Sequence, residues 1–204
     1  NINAKKYSLV RIDFSGNVLW KKKLVKAGNY EKSVINKNGN ILLAGINLDK
    51  KTVCAAKYNY SGELEWYKEY SQPNFVIKDI FQTENGNYII AGNEQTISYS
   101  KIALLILEAN GNLIKYENSY PPFANKYCIV NGISKFDNEN YLVLGSVDAK
   151  TQEKIFYMAV NEAGLMQYHK IEEKEKSYYS PNTMLIDSNK NLIVSGITGL
   201  IKTM

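Results

Sequence analysis

AAKYNYSGELEWYKEY (55–70), followed by DIFQTENGNYIIAG (79–92), is a phrase that this chain writes four times. The other copies are YSLVRIDFSGNVLWKKKL (7–24) with SVINKNGNILLAG (33–45), ALLILEANGNLIKYENSY (103–120) with ISKFDNENYLVLG (133–145), and FYMAVNEAGLMQYHKI (156–171) with MLIDSNKNLIVSG (184–196). The turn glycines Gly16, Gly62, Gly111 and Gly164 lie 46, 49 and 53 residues apart, and the strand-ending glycines Gly45, Gly92, Gly145 and Gly196 lie 47, 53 and 51 apart. A period of about 50 residues with four short strands per unit predicts an all-β array of blades, a β-propeller.

The local chemistry of the repeat explains the strands. Call them A to D within one unit; in the second repeat they fall at 76–82, 88–92, 102–107 and 113–118. The A-to-B connections are NKNGN (36–40), TENGN (83–87), DNEN (137–140) and SNKN (188–191), and the C-to-D connections are DFSGN (13–17), NYSGE (59–63), EANGN (108–112) and NEAGL (161–165). Asn, Asp and Gly tolerate the positive φ that hairpin turns require, so consecutive strands become antiparallel neighbours and each unit a meander. Ile89-Ile90-Ala91, Leu142-Val143-Leu144 and 103–107 are continuous apolar runs. A sheet with one wet face alternates apolar and polar residues, whereas a blade covered on both faces by its neighbours does not. Leu105, Ile90, Leu142 and Val143 are therefore expected in the core. No repeat carries a helical period over ten or more residues, which excludes a helical solenoid.

DIFQTENGNYIIAG followed by KIALLILEANGN resembles the bacterial and archaeal propeller repeats of the form "DGGYIVAG…DxYLxKxDxxGNxxW", and IDFSGNVLW is similar to the tryptophan-docking phrase of quinoprotein-like propellers. The resemblance covers essentially the whole chain. It implies that strand A lines a central channel, that D is outermost, and that Trp20 and Trp66 dock blade to blade, with Lys115 and Tyr168 in the equivalent places of the other repeats. It also implies one propeller domain over 1–204. Its units are 1–29 with 178–204, 30–70, 75–118 and 127–171, the ring being fastened by N-terminal strands C and D pairing with C-terminal strands A and B. Two alternatives stand beside a closed four-bladed ring: two chains completing a larger ring as a homodimer, or a piece of a longer array. The chain starts at Asn1 without methionine, which reads as a processed or excised form.

Composition narrows the function classes. The 25 basic and 20 acidic residues give a net charge of +5, and Arg11 is the one arginine. Nucleic-acid readers cluster basic residues and use arginine for bidentate base contacts, so no nucleic-acid partner is expected. No apolar run approaches the roughly 18 residues of a membrane helix, so no membrane span is expected. Cys54 and Cys128 occupy different places in different repeats, which suits no metal motif and reads as two small buried thiols.

The search for chemistry returns little. His169 is the single histidine, next to Tyr168 on a D strand, and reads as an edge residue rather than a base. Transition-metal sites need several His or Cys ligands, and no such set is present. Quinoprotein dehydrogenases bring vicinal cysteines and acidic calcium ligands; neither occurs, so no cofactor is expected. Glu172, Glu173 and Glu175 alternate with lysines as in a solvated loop. Asp79 lies on an A strand, where a channel-facing carboxylate binds a cation or a sugar hydroxyl, with Ser33, Gly132 and Thr183 near the matching places. Asp13, Asn59, Glu108 and Asn161 read as turn caps.

What remains is loop length. The segment NSYPPFANK (118–126) is long and aromatic, the loop 93–100 adds Tyr99, and Tyr178 follows the charged loop. Tyrosine and proline on rigidly presented loops suit sugar stacking or a peptide interface, because a flat amphipathic ring gives contact area at small entropic cost. A second reading has Phe123 plugging the channel mouth. The candidate binding residues are Tyr99, Tyr120, Phe123, Tyr127, Tyr178 and Asp79. The expected function is non-enzymatic: a recognition or scaffold propeller outside the cytoplasm that binds protein or glycan. A carbohydrate-active lyase or hydrolase and a purely structural module of a surface protein are the alternatives.

Overall fold

A computed structural model of the chain describes residues 8–24, 28–72, 74–148, 154–172 and 177–200, with the backbone alone at 177–179 and 198–200. The described residues form sixteen strands and a single 3-10 turn. Three sheets have four strands each. The first holds β3 (Asn29–Ile35), β4 (Ile41–Asn47), β5 (Thr52–Tyr58) and β6 (Leu64–Tyr70); the second β7 (Phe75–Gln82), β8 (Tyr88–Gln95), β9 (Ser100–Leu107) and β10 (Leu113–Glu117); the third β11 (Cys128–Lys135), β12 (Asn140–Val147), β13 (Lys154–Asn161) and β14 (Met166–Glu172). Every neighbouring pair is antiparallel and consecutive in sequence. This is the propeller-blade meander that the repeat predicts, with strand bounds within three residues of those read from the second repeat.

β1 (Ser8–Ile12) pairs with β2 (Val18–Lys23), and β15 (Ser177–Ile186) with β16 (Leu192–Leu200), each as a two-stranded sheet.

The chain divides into two compact units, Asn1–Ser71 and Gln72–Met204, at the connection between β6 and β7. In the first unit, Leu9 and Trp20 of the β1–β2 hairpin pack on Ile41, Leu43 and Tyr58. Trp20 Nε1 donates to the Tyr60 carbonyl at 3.1 Å, and the Arg11 guanidinium lies 3.6 Å over the Tyr60 ring. Trp20 thus docks one hairpin on the next C-to-D turn, as the resemblance implies. In the second unit the A strands β7, β11 and β15 are adjacent. One core joins the second and third sheets through Ile89, Leu104, Ile106, Val143 and Met158, and another joins the third sheet to β15–β16 through Leu142, Leu144, Ala159 and Met184. Leu105, Ile90, Leu142 and Val143 are all at most 1% exposed, as the unbroken apolar runs demand.

Two irregularities recur and give the sheets their twist. Each A strand bulges, at Tyr30/Lys32, Ile77/Asp79, Val130/Gly132 and Pro181/Thr183. Each C–D pair bulges too, as at Arg11/Ile12 and Lys57/Tyr58. A bulge adds one unpaired residue and increases the local right-handed twist. It also explains the strand-ending glycines: a Cβ at Gly45, Gly92, Gly145 or Gly196 would run into the carbonyl of Asn29, Val76, Ile129 or Ser180 on the bulged partner. No larger residue fits there without moving backbone.

Candidate functional site

The site is assembled where the β8–β9 connection meets the long segment after β10. The 96–99 turn is closed by its own groups: Thr96 N donates to the Tyr99 carbonyl at 2.9 Å, and Tyr99 N to Thr96 Oγ1 at 3.0 Å. Tyr99 is left half-exposed with the Lys101 ammonium 5.4 Å from its ring centre. On the other side, Pro121 and Pro122 open the 3-10 turn Pro121–Phe123, whose fixed φ bends the chain back on itself.

Glu94 joins the two segments. Its Oε2 accepts from Tyr116 Oη at 2.7 Å and from Asn118 Nδ2 at 2.6 Å. Burial, and then this carboxylate, push the Tyr116 phenol above its ordinary pKa, so it stays a donor. Between the segments lies a cavity of about 270 Å³, lined by Tyr99, Lys101, Asn118, Ser119 and Asn125, with Tyr120 and Phe123 beneath. An open depression of about 630 Å³ adjoins it through Tyr99 and is lined by Asn74 and residues 94–98.

The expected binding residues divide. Tyr99, Tyr120 and Phe123 do converge on this one cavity. Tyr120 and Phe123, however, are buried rather than presented to solvent, at 5% and 3% exposure. Tyr120 Oη donates to the Gly164 carbonyl at 3.0 Å, and Phe123 stacks 4.8 Å from Phe156 and edge-on to His169 at 5.6 Å. The reason is the 3-10 turn, which aims Phe123 inward, into the core between the second and third sheets. Tyr127 is half-buried beside the start of β11 and does not line the cavity. Tyr178 lies outside the residues whose side chains are described; its backbone pairs with Gly199.

Asp79 has a different setting. Its Oδ1 accepts the Ile80 N–H at 2.8 Å and its Oδ2 the Ile133 N–H at 3.0 Å, so it fastens β7 to β11. The residues at its register position are Lys32, Gly132 and Thr183; Lys32, not Ser33, is the first-sheet equivalent, because Lys32 and Asp79 each pair with the alanine just before the strand-ending glycine. A Cβ on Gly132 would sit 3.3 Å from the Asp79 carboxylate, which is why the acid and the glycine go together.

Sequence reasoning passed over Asn93, which is 1% exposed. Its Nδ2 donates to the carbonyls of Lys101 (3.1 Å) and Cys128 (3.0 Å), and its Oδ1 accepts the Val130 N–H at 3.0 Å. The available signal was a carboxamide directly after the strand-ending Gly92 of an otherwise apolar strand. Glu94 carried no signal, since its partners are more than 20 residues away. Cys54 and Cys128 are free and buried, and burial pushes their thiols up to about 11 and about 12. Among the described residues no group of three His, Cys, Asp or Glu side chains is placed to hold a metal ion, and no helix is long and apolar enough to cross a membrane.

No known family model and no curated protein matches this chain. Among solved structures, a protein of unknown function from Bacteroides caccae, solved at 1.35 Å, is similar with a TM-score of 0.58 at 17% identity, over 90% of this chain and 61% of that one. That likeness is one of fold, and the chain spans about three-fifths of that protein's length. The periplasmic gluconolactonase PpgL of Pseudomonas aeruginosa superposes with a TM-score of 0.48 at 10% identity, over 92% of this chain and 71% of that one.

Proposed function

We propose that this chain is a non-enzymatic recognition module that binds a glycan, or a polar segment of a protein, at the cavity beside Tyr99. One observation carries the reading. A half-exposed tyrosine stands beside Lys101, Asn118, Ser119 and Asn125 around a cavity of about 270 Å³ whose floor is the fixed apolar pair Tyr120 and Phe123. A ring face beside carboxamides and an ammonium suits a polyhydroxylated ligand: the ring takes the C–H face of a sugar, and the polar groups take its hydroxyls. The Glu94 bonds hold the two walls together, which lowers the ordering cost of binding. None of the described residues lining this cavity is a carboxylate, which favours binding over glycoside cleavage, where a pair of carboxyl groups flanks the scissile bond. The similarity of the repeats to those of exported bacterial proteins supports a place outside the cytoplasm.

The experiment is a glycan array, paired with a pull-down on peptide and protein ligands, comparing the native chain with Tyr99→Ala. Tyr99 lies on a loop tip, so the variant keeps the core. The expected outcome is a bound glycan class whose signal falls at least tenfold in the variant, since an aromatic anchor contributes about 2 kcal/mol. Binding that is equal in both proteins moves the site away from this cavity. Binding to nothing in either assay favours a structural module. Turnover of a bound glycan overturns the non-enzymatic reading.

A further inference from the structure

The cavity beside Tyr99 carries one charge: among its described lining residues the Lys101 ammonium alone is ionised. The acids nearby are turned to other donors. Glu94 stands directly opposite Lys101 in the β8–β9 ladder, but its Oε2 is held by Tyr116 Oη and Asn118 Nδ2. Glu117 is engaged by Lys115 Nζ at 2.6 Å and by the Ser119 N–H at 3.0 Å.

Lys101 thus differs from lysines that find an acid on their own sheet, such as Lys57 with Glu65 at 3.0 Å and Lys115 with Glu117. Among the described residues it closes no ion pair, and its side-chain contact is the Tyr99 ring. Ser119 Oγ and the Asn125 side chain likewise bond to no other described residue. A half-buried ammonium with no carboxylate beside it gains most from a ligand that brings the anion, because charge-assisted bonds are the strong ones. Pockets for small molecules run from about 300 to about 1,000 Å³. At about 270 Å³ this cavity suits a single sugar ring, and the adjoining depression of about 630 Å³, which shares Tyr99, leaves room for the next residue of a chain.

We propose that the ligand is an acidic glycan, held through one sugar residue whose anionic group, a carboxylate or a sulfate ester, meets Lys101. The ring of that residue lies against Tyr99, and its hydroxyls meet Asn118, Ser119 and Asn125. This rests on the reading of the cavity as a glycan site and adds the charge of the sugar. Lysine acts as a point charge rather than a planar fork, so Lys101 selects for the negative charge, and the donors around it fit the hydroxyls.

The test is an array of alginate (uronate), carrageenan (sulfated) and mannan (neutral) oligosaccharides, read with the native chain, Lys101→Gln, Lys101→Arg and Tyr99→Ala. Lys101 joins the fold through its backbone carbonyl, which accepts from Asn93, so its side-chain variants are expected to keep the native urea midpoint. The expected signal is confined to the acidic oligosaccharides and falls as ionic strength rises from about 0.05 to about 0.5 M. It drops at least tenfold in Lys101→Gln and in Tyr99→Ala and is retained in Lys101→Arg. Carboxyl-reduced alginate and desulfated carrageenan tell the two anions apart, since only the treatment that removes the bound group abolishes the signal. Binding of mannan that Tyr99→Ala loses and Lys101→Gln keeps overturns the proposal and leaves the glycan site standing. Binding of acidic oligosaccharides that is equal in Lys101→Gln and the native chain overturns it as well. Binding of no oligosaccharide by the native chain overturns it together with the glycan reading.

Discussion

Asn93 of β8 and Val130 of β11 belong to different sheets, yet they are joined by a bond at 3.0 Å from the Val130 N–H to Asn93 Oδ1. The same amide returns a bond to the Cys128 carbonyl, so one buried side chain completes the edge of the neighbouring A strand. Removing it leaves an N–H and a carbonyl without partners in a dry interior. Asn93→Ala is expected to destabilise the fold by about 3 kcal/mol, read from the urea midpoint at constant slope. Asn93→Asp should be worse than Ala, because its carboxylate would face two carbonyl oxygens.

Trp20 lies against the Gly62 turn, and its ring would be 3.0 Å from a Cβ placed there. Trp20→Ala removes a half-buried indole and its bond to Tyr60, with an expected loss of about 2–3 kcal/mol. Gly62→Ala is expected to cost roughly 1–2 kcal/mol on its own, since φ is +76° and the ring must also shift. Because both changes strike one contact, the double variant should lose less than the sum, which a double-mutant cycle by urea unfolding measures.

Three turn carboxylates contribute to the acid limb of stability. Asp13, Asp137 and Asp187 are held below the ordinary value of 3.8, in each case first by the side chain of Asn17, Asn140 or Asn191 and then by backbone N–H groups of the turn. A group depressed in the folded state contributes stability that is present above about 3.8 and is lost as pH falls through its folded value. The urea midpoint is therefore expected to be flat from neutral pH down to the unfolded carboxylate range and to fall below it. Asp187→Asn should flatten part of that fall, because Asn36, Asn59 and Asn161 hold the same turn position with an uncharged oxygen.

Cys54 and Cys128 are expected to resist thiol reagents while the chain is folded. Their raised pKa values, about 11 and about 12 and caused first by burial, leave almost no thiolate at pH 8. Ellman's reagent should label neither in the native protein and both in urea. Rapid labelling of Cys128 in the native protein would mean that the β8–β11 contact opens readily.

The fold was legible because its determinants are local. Asp13, Asn36, Asn59 and Asn161 announce their turns, and the side-chain oxygen accepts the backbone N–H groups that close each one. The apolar runs at 89–91 and 142–144 need no more than burial on both faces. The site was only half legible. Aromatic residues after β10 were visible, but whether a ring faces water or core depends on how a 3-10 turn aims it, and Phe123 is aimed inward by a geometry that depends on the surrounding sheets. Asn93, Glu94 and the clasp between Asp79 and Ile133 join residues 22 to 54 positions apart. No periodicity encodes such pairs.

The meander has a kinetic consequence. Each ladder joins strands that follow one another, so every hairpin needs only a short loop closed and can form on a microsecond scale. The bonds from Asn93 to Val130 and from Asp79 to Ile133 reward the chain only after two sheets have met, which places them late on the folding path. Weakening either is then expected to speed unfolding while leaving refolding nearly unchanged. The durability of the assembled sheets is set by a few polar clasps, and the speed of their assembly by the turns.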